Sequence, residues 1–497
     1  MFQSKKDFFS KKSIGLLFGP LLFLTIILLP PPEGMSIEAR NVLACTVWVA
    51  IWWITEAAPI PVTSLLPIVV FPLTGALSLK STTEAYGNPI VFLYLGGFVI
   101  AIAMEKWNLH KRIALNIVKA IGVNQKKIVL GFMVATAFLS MWISNSATAM
   151  MMLPIGVAII MQISLAPEKE GAQFKNNFGV ALMLSIAYSA SIGGLATLVG
   201  TPTNAVLAAI VKQLYNFEIS FAIWAVFAFP LVIFLLIVCW YYLVYIAFPL
   251  QDQDNQFGQE EISRQAEALP KISWEEKWVM AVFSFTAFLW VTRSFLLDQI
   301  LLGLDDSIIA ITGAITLFLI PTKSGTGFIL TWEASRSLPW GLLLLFGGGL
   351  AIASAFKDSG LATWIGAQMN LIQGMELFLL LLILVTAINF LTEITSNVAT
   401  ATMMLPILAS IATAICIHPF GPMVAACMAA SCAFMLPVAT PPNAVVFGSG
   451  YIKMGDMVKA GFWLNIISIA AITFYVYYIL PLVWGIDLFS LPDFIQK

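Results

Sequence analysis

Between Ser220 and Leu250 the chain "SFAIWAVFAFPLVIFLLIVCWYYLVYIAFPL" carries no Asp, Glu, Lys, Arg or His. A helix of ~20 apolar residues spans the hydrocarbon core of a bilayer. Runs of that kind recur along almost the whole 497-residue sequence. With 60% of residues hydrophobic, 10% charged and a mean hydropathy of +0.92, a soluble fold would expose one large apolar surface. A membrane β-barrel would show short alternating segments instead. The expected fold class is therefore an all-α polytopic membrane protein. It should have about 11 transmembrane helices, and its first partner is the lipid bilayer. The net charge of -1 points to no nucleic-acid partner.

The apolar runs place helices at 14–30, 41–55, 59–77 and 89–106, followed by an amphipathic stretch at 107–124. An apolar pair at 128–162 is broken near Ser144–Ser146. A helix at 178–214 is broken at "GTPTN" (200–204), and another covers 220–248. A polar linker, 250–274, is the one long soluble-looking segment. Helices at 275–297, 306–321 and 339–357 follow, then an interfacial stretch at 358–373 and a second broken pair at 376–415. A helix at 419–452 is broken at "ATPPN" (439–443), and the last covers 456–484. The start "MFQSKKDFFSKK" resembles a signal peptide but lacks a small-residue cleavage site, so it reads as an uncleaved first helix. The five cysteines lie in apolar runs without paired spacing and read as small core residues.

The second half repeats the first. "FLSMWISNSATAMMMLPI" (138–155) answers "FLTEITSNVATATMMLPI" (390–407), and "GTPTNAV" (200–206) answers "ATPPNAV" (439–445). "YLGGFVIAIA" (94–103) answers "LFGGGLAIAS" (345–354). Each copy holds five full spans and one re-entrant pair. An odd number of spans makes the second copy enter from the opposite side, which gives two inverted-topology repeats of five helices each. The expected division is an N-terminal segment and first helix at 1–34, repeat 1 at 35–249, a cytoplasmic linker at 250–274 and repeat 2 at 275–497. With the N-terminus in the cytoplasm and the C-terminus outside, all Lys and Arg except Arg40, Lys80, Lys212, Arg293, Lys357 and Lys497 fall on the cytoplasmic side. The positive-inside rule asks for that bias. The first interfacial stretch is rich in Lys and Arg, whereas its counterpart carries only Lys357.

The polar centres of the repeated motifs need a reason. Irregular backbone at membrane depth is tolerated only inside protein or against an aqueous cavity. Proline removes an amide donor and disfavours helix in the residue before it, so Thr201 and Thr440 should lie on unwound chain. The helix that resumes offers free N–H groups and a positive dipole end to an anion. Freed carbonyls with Ser, Thr and Asn oxygens suit a hard cation. No Lys, Arg or His lies in the four motifs. An anion bound there therefore needs dipoles, amide donors or co-bound cations, and sodium supplies the last.

"WWITEAAPIPVTSLLPIVVFPLTG", "SNSATAMMMLPI", "TEITSNVATATMMLPI" and "FMLPVATPPNAVVFGSGYIKMGDMVKAG" resemble the divalent-anion/sodium symporter family, carriers of succinate, citrate and sulfate. The resemblance covers nearly the whole chain. It implies sodium-coupled symport of a divalent organic anion of the succinate, malate or fumarate type, by an elevator mechanism, in a homodimer of the plasma (bacterial inner) membrane. Carried over, a first sodium site would use Ser140, Ser144, Asn145 and backbone at Gly200. A second would use Thr392, Thr395, Asn397 and backbone at Ala439. The anion would meet Asn145, Ser146, Thr201, Pro202, Asn397, Val398, Thr440 and Pro441. The family's usual tip triplet is Ser-Asn-Thr. Here the tips are Ser144-Asn145-Ser146 and Ser396-Asn397-Val398, and Val398 has no hydroxyl to offer. Sodium-independent exchange, and citrate or sulfate as main substrate, are the alternatives.

Other readings of these residues exist. Ser and Thr in membrane helices often bond their own backbone. Glu393, whose counterpart is Met141, reads as paired or water-facing rather than as a ligand. Gly96–Gly97 and Gly347–Gly349 read as close-packing sites. An intramembrane hydrolase would need a base beside Ser144 or Ser396, but the two histidines, His110 and His418, lie outside the tips. The reading is therefore not an enzyme. A channel also can carry two re-entrant hairpins; uptake against a gradient separates it from a carrier.

Overall fold

The computed structural model describes residues 11–122, 124–164, 172–250, 256–297, 300, 303–368 and 374–492. The cationic start at 1–10 and part of the second interfacial stretch lie outside them. All regular elements described are helical. In chain order they are α1 (Lys11–Leu28), α2 (Ile37–Thr55), α3 (Ile60–Thr63), α4 (Leu66–Thr74), α5 (Leu79–Glu84), α6 (Pro89–Lys106) and α7 (Leu109–Ile121). Next come α8 (Gln125–Ser140), α9 (Asn145–Ser164), α10 (Ala172–Gly194), α11 (Pro202–Tyr215), α12 (Phe221–Tyr241) and α13 (Gln256–Ala268). Then follow α14 (Trp274–Thr292), α15 (Asp306–Leu319), α16 (Trp340–Asp358), α17 (Leu361–Ala367), α18 (Leu377–Thr392) and α19 (Asn397–Ala414). The chain ends with α20 (Phe420–Ala430), α21 (Pro441–Phe447) and α22 (Met454–Trp484). Among the described residues, nine helices are long and apolar enough to cross a membrane, and five shorter apolar helices accompany them. This is an integral membrane protein.

Several boundaries differ from the sequence reading, each for a local reason. α2 begins four residues early because Ser36 caps it, its Oγ accepting the Ala39 N–H at 3.0 Å. The run 59–77 is two helices, α3 and α4, because Pro67 cannot donate a bond back into the preceding turn. The linker at 250–274 contains α13, which packs against α7 and α9 and buries Ile262 and Glu261. Its polar outer face hid it. Cys416 is exposed, at a positive φ of 59° in the turn after α19, so it is no core residue; the other four cysteines are buried.

The broken helices unwind upstream of the expected positions. The irregular segments are 195–201 and 431–440, and Pro202 and Pro441 open the next helices rather than interrupting them. Proline suits a first helical turn, where its missing N–H has no partner to lose. Two runs of elements therefore recur in one order: long helix, short helix, hairpin, broken helix, long helix. They are α6–α12 and α16–α22.

The first halves of the two broken helices form the centre. Residues 177–194 of α10 are almost wholly enclosed, and all of α20 is buried. α10 packs on α8, α9, α12 and α21; α20 packs on α11, α18, α19 and α22. Of the glycines named from the sequence, Gly96, Gly347, Gly348 and Gly349 sit at close approaches, whereas a Cβ at Gly97 would meet Val199 at an ordinary 3.5 Å. A Cβ at Gly96 would lie 2.5 Å from the Ala310 carbonyl carbon, and one at Gly348 would lie 2.4 Å from Ser64 O.

Candidate functional site

Four helices begin at the repeated motifs: α9 at Asn145, α19 at Asn397, α11 at Pro202 and α21 at Pro441. They pack crosswise. α11 of the first copy lies on α19 of the second, and α21 of the second lies on α9 of the first. A hydrogen bond crosses directly between copies, Thr203 Oγ1 to Ser431 Oγ at 2.6 Å.

The hairpin turns have the same polar core. In the first, Ser140 Oγ lies 2.5 Å from Asn145 Oδ1 and 2.7 Å from Ala190 O. In the second, Thr392 Oγ1 lies 2.7 Å from Asn397 Oδ1 and 2.9 Å from Ala430 O. A hydroxyl carries one proton, so it serves only one of two facing oxygens. The second turn thus gathers more lone pairs than protons, and the first does so when the Asn145 oxygen faces Ser140. The terminal amide atom of Asn145 also lies 3.2 Å from Gly200 O and 3.2 Å from Ala190 O. With nitrogen there, it donates to these carbonyls. With oxygen there, four oxygens converge, and a cation satisfies them. The space is tight: a Cβ at Gly194 would sit 2.5 Å from Asn145 Oδ1, and one at Gly200 would sit 2.5 Å from Gly194 O.

Residues 10–491 match the sequence pattern of the sodium:sulfate symporter transmembrane region. The chain belongs to this family. A sodium-dependent dicarboxylate transporter of Staphylococcus saprophyticus is 47% identical over 479 residues, covering 95% of this chain and 92% of that one. One of Staphylococcus aureus (strain USA300) is 47% identical over 491 residues, covering 98% and 94%. Two solved structures share the fold. The Alcanivorax borkumensis YdaH transporter covers 96% of this chain and 97% of its own at 14% identity, TM-score 0.58. Neisseria gonorrhoeae MtrF covers 95% of each at 13% identity, TM-score 0.55.

In this family member the sequence-named residues divide. Ser140, Asn145 and Gly200 come together, as do Thr392 and Asn397. Ser144 caps α9, its Oγ accepting the Ala147 N–H at 3.3 Å; Ser146 sits half-buried in that first turn. Thr201 and Thr440 are both buried at the ends of their unwound segments, directly before Pro202 and Pro441. Thr440 Oγ1 accepts the Asn443 N–H at 3.3 Å. Val398 is half-buried, and its carbonyl accepts from Thr402. Ala439 is buried, its N–H bonded to Leu436 O at 3.2 Å. Thr395 points elsewhere: its hydroxyl bonds Leu391 O at 2.8 Å and meets Thr400 at 2.7 Å, in a cleft shared with Trp53 and Ile54.

Four residues that hold the unwound segments were not selected from the sequence. Asn204 Nδ2 donates to Gly194 O (3.3 Å) and Thr197 O (2.8 Å); Asn443 Nδ2 donates to Ala433 O (3.2 Å) and Leu436 O (3.0 Å). Both asparagines reach back ten and seven residues, and both close the repeated motif, which was the available signal. Thr197 Oγ1 donates to Met141 O at 2.5 Å, tying the first segment to its hairpin turn, and accepts from Gly200 N at 3.0 Å. Tyr94 reaches the same segment, its hydroxyl meeting Leu198 O and lying 2.7 Å from Thr201 O.

Proposed function

We propose that this protein is a sodium-coupled symporter of a dicarboxylate of the succinate, malate or fumarate type. The observation that carries the reading is the pair of oxygen-rich hairpin turns, each beside the start of a helix. Ser140, Asn145, Ala190 O and Gly200 O hold one sodium ion; Thr392, Asn397 and Ala430 O hold a second. Ser144 and Ala439 complete the donor set in the loaded protein, joined by Thr395 once its hydroxyl turns away from Leu391 O and Thr400. The anion lies against Asn145, Ser146, Thr201, Pro202, Asn397, Val398, Thr440 and Pro441, where helix dipoles and two bound cations favour its charge. Each asparagine serves both ions, its carbonyl toward sodium and its NH2 toward carboxylate. The names of the 47%-identical staphylococcal relatives support both the cation and the substrate class.

The same reading makes the chain a carrier rather than an enzyme. It works as a homodimer in the plasma membrane, with the N-terminus cytoplasmic and the C-terminus outside. The halves 35–249 and 275–497 are inverted repeats, and the hairpins with α10–α12 and α20–α22 move as an elevator against the rest. Two sodium ions neutralise a dianion; a third makes each cycle carry one positive charge, worth ~2.3 kcal/mol per 100 mV. Uptake of labelled succinate into proteoliposomes tests this. Expected is a sigmoidal dependence on sodium and stimulation by an inside-negative potential. Uptake that ignores sodium and needs an internal dicarboxylate overturns symport in favour of exchange.

A further inference from the structure

Glu393 lies at the second hairpin turn, directly after Thr392, and is 3% exposed. Its carboxylate touches none of the oxygens gathered by Thr392. Instead Oε1 accepts from Phe434 N (2.8 Å), Met435 N (3.0 Å) and Asn465 Nδ2 (2.7 Å), and Oε2 accepts from Leu436 N (3.0 Å). Three successive backbone amides of one unwound segment thus close on a single side chain from the hairpin. Asn465, on α22, braces it from behind and also accepts from Phe434 N at 3.3 Å.

That segment runs from Ala430, whose carbonyl faces Thr392, to Thr440, where α21 begins. Further ties lie on either side of the Glu393 contacts: Asn389 Nδ2 donates to Cys432 O at 2.6 Å, and Asn443 Nδ2 donates to Ala433 O and Leu436 O. Ala439 N is bonded back to Leu436 O. The position of Leu436 therefore sets where Ala439 and Thr440 stand, and the carboxylate sets Leu436.

We propose that Glu393 is a positioning residue for the second cation site. By gripping the amides of residues 434–436 it fixes the spacing between the hairpin turn and the carbonyls of Ala430 and Ala439, and so sets the affinity of that site for sodium. It is not itself a ligand. The inference rests on the reading of Thr392, Asn397 and Ala430 as a cation site. Outer-shell partners of metal ligands commonly change affinity about 10–100-fold when removed.

The test measures succinate uptake against sodium concentration in reconstituted full-length protein, for wild type, Glu393→Met, Glu393→Gln and Asn397→Ala. Met is the residue of the first copy, at Met141. Expected for Glu393→Met is a half-saturating sodium concentration raised about tenfold or more. At saturating sodium the maximal rate and the half-saturating succinate concentration recover most of the way to wild type. Glu393→Gln shifts less, because one amide oxygen still accepts from Phe434, Met435 and Asn465. Unchanged half-saturating sodium in both variants overturns the proposal, and so does a fall in maximal rate alone. If Glu393→Met does not reach the membrane, Glu393→Gln decides by the same criterion. Sodium-indifferent uptake by wild type, or normal sodium dependence in Asn397→Ala, would instead remove the underlying site.

Discussion

The two hairpin turns are held to their unwound segments by the same pair of positions with the polarity reversed. In the first copy the segment supplies a side chain, Thr197, and the hairpin supplies backbone, Met141 O. In the second copy the hairpin supplies a side chain, Glu393, and the segment supplies backbone, Leu436 N. The asparagine spacing makes Thr197 the counterpart of Leu436, as Met141 is of Glu393. What the two copies share is a tie between turn and segment at matching positions, not the atoms that make it. Surroundings diverged as well. Val199 is 7% exposed, whereas its counterpart Val438 is 81% exposed. Trp142 packs against Phe221, Phe283 and Trp290, whereas its counterpart Ile394 is exposed. The first copy is wound around glycines at 194 and 200, where the second has Ala433 and Ala439.

If both copies bind a cation, the largest effect comes from Asn145→Ala and Asn397→Ala. Each should reduce succinate uptake more than about a hundredfold, consistent with loss of a group shared by cation and anion. A large loss from one alone would break the equivalence. The exposure difference comes next. Val438→Cys should react with a membrane-impermeant thiol reagent at least about tenfold faster than Val199→Cys, since the thiolate must reach water to react. Equal rates would show that the two segments are equally open. The glycine difference is smaller. Gly200→Ala places a methyl against Gly194 O and Ser140 O and should raise half-saturating sodium about tenfold, whereas Ala439→Gly should stay within about threefold. The smallest effect is Thr197→Val, which removes two neutral hydrogen bonds, one to Met141 O and one from Gly200 N, and should lower thermal stability by about 2 kcal/mol. Glu393→Met, which frees three buried amides, should cost more than Thr197→Val by the same thermal measurement.

Much of this was legible in the sequence because polar residues stand out in an apolar chain. Ser140 and Thr392 each precede a Ser-Asn pair by four residues, and both do meet the asparagine that follows. The duplicated motifs also located all four helix starts. What escaped was of two kinds. Thr197 went unmarked, and Glu393, read as paired or water-facing rather than as a ligand, is indeed paired, but both have partners more than 40 residues away that nothing local in "LATLVG" or "LTEIT" marks. α13 escaped because its polar face resembles a solvated linker, although Ile262 and Glu261 are buried. Thr201 and Thr440 do lie on unwound chain, but the breaks extend upstream of the proline motifs, because Pro202 and Pro441 open the next helices and the unwinding precedes them.

The reach of Asn204 and Asn443 has a consequence for how such a chain can change. Each asparagine closes a ring of backbone whose length is counted, ten residues to the far carbonyl and seven to the near one. Between Ala190 and Gly194 there are four steps, but between Ala430 and Ala433 there are three, so the copies have already absorbed a one-residue length difference at the helix end. Inside the ring no such slack exists, because one residue more or fewer moves a carbonyl ~3.5 Å, beyond hydrogen-bond reach. Substitutions can therefore accumulate in 195–203 and 434–442 while insertions and deletions cannot. The ring behaves like a ruler cut twice to one length, and the two halves of the molecule are free to drift in spelling but not in count.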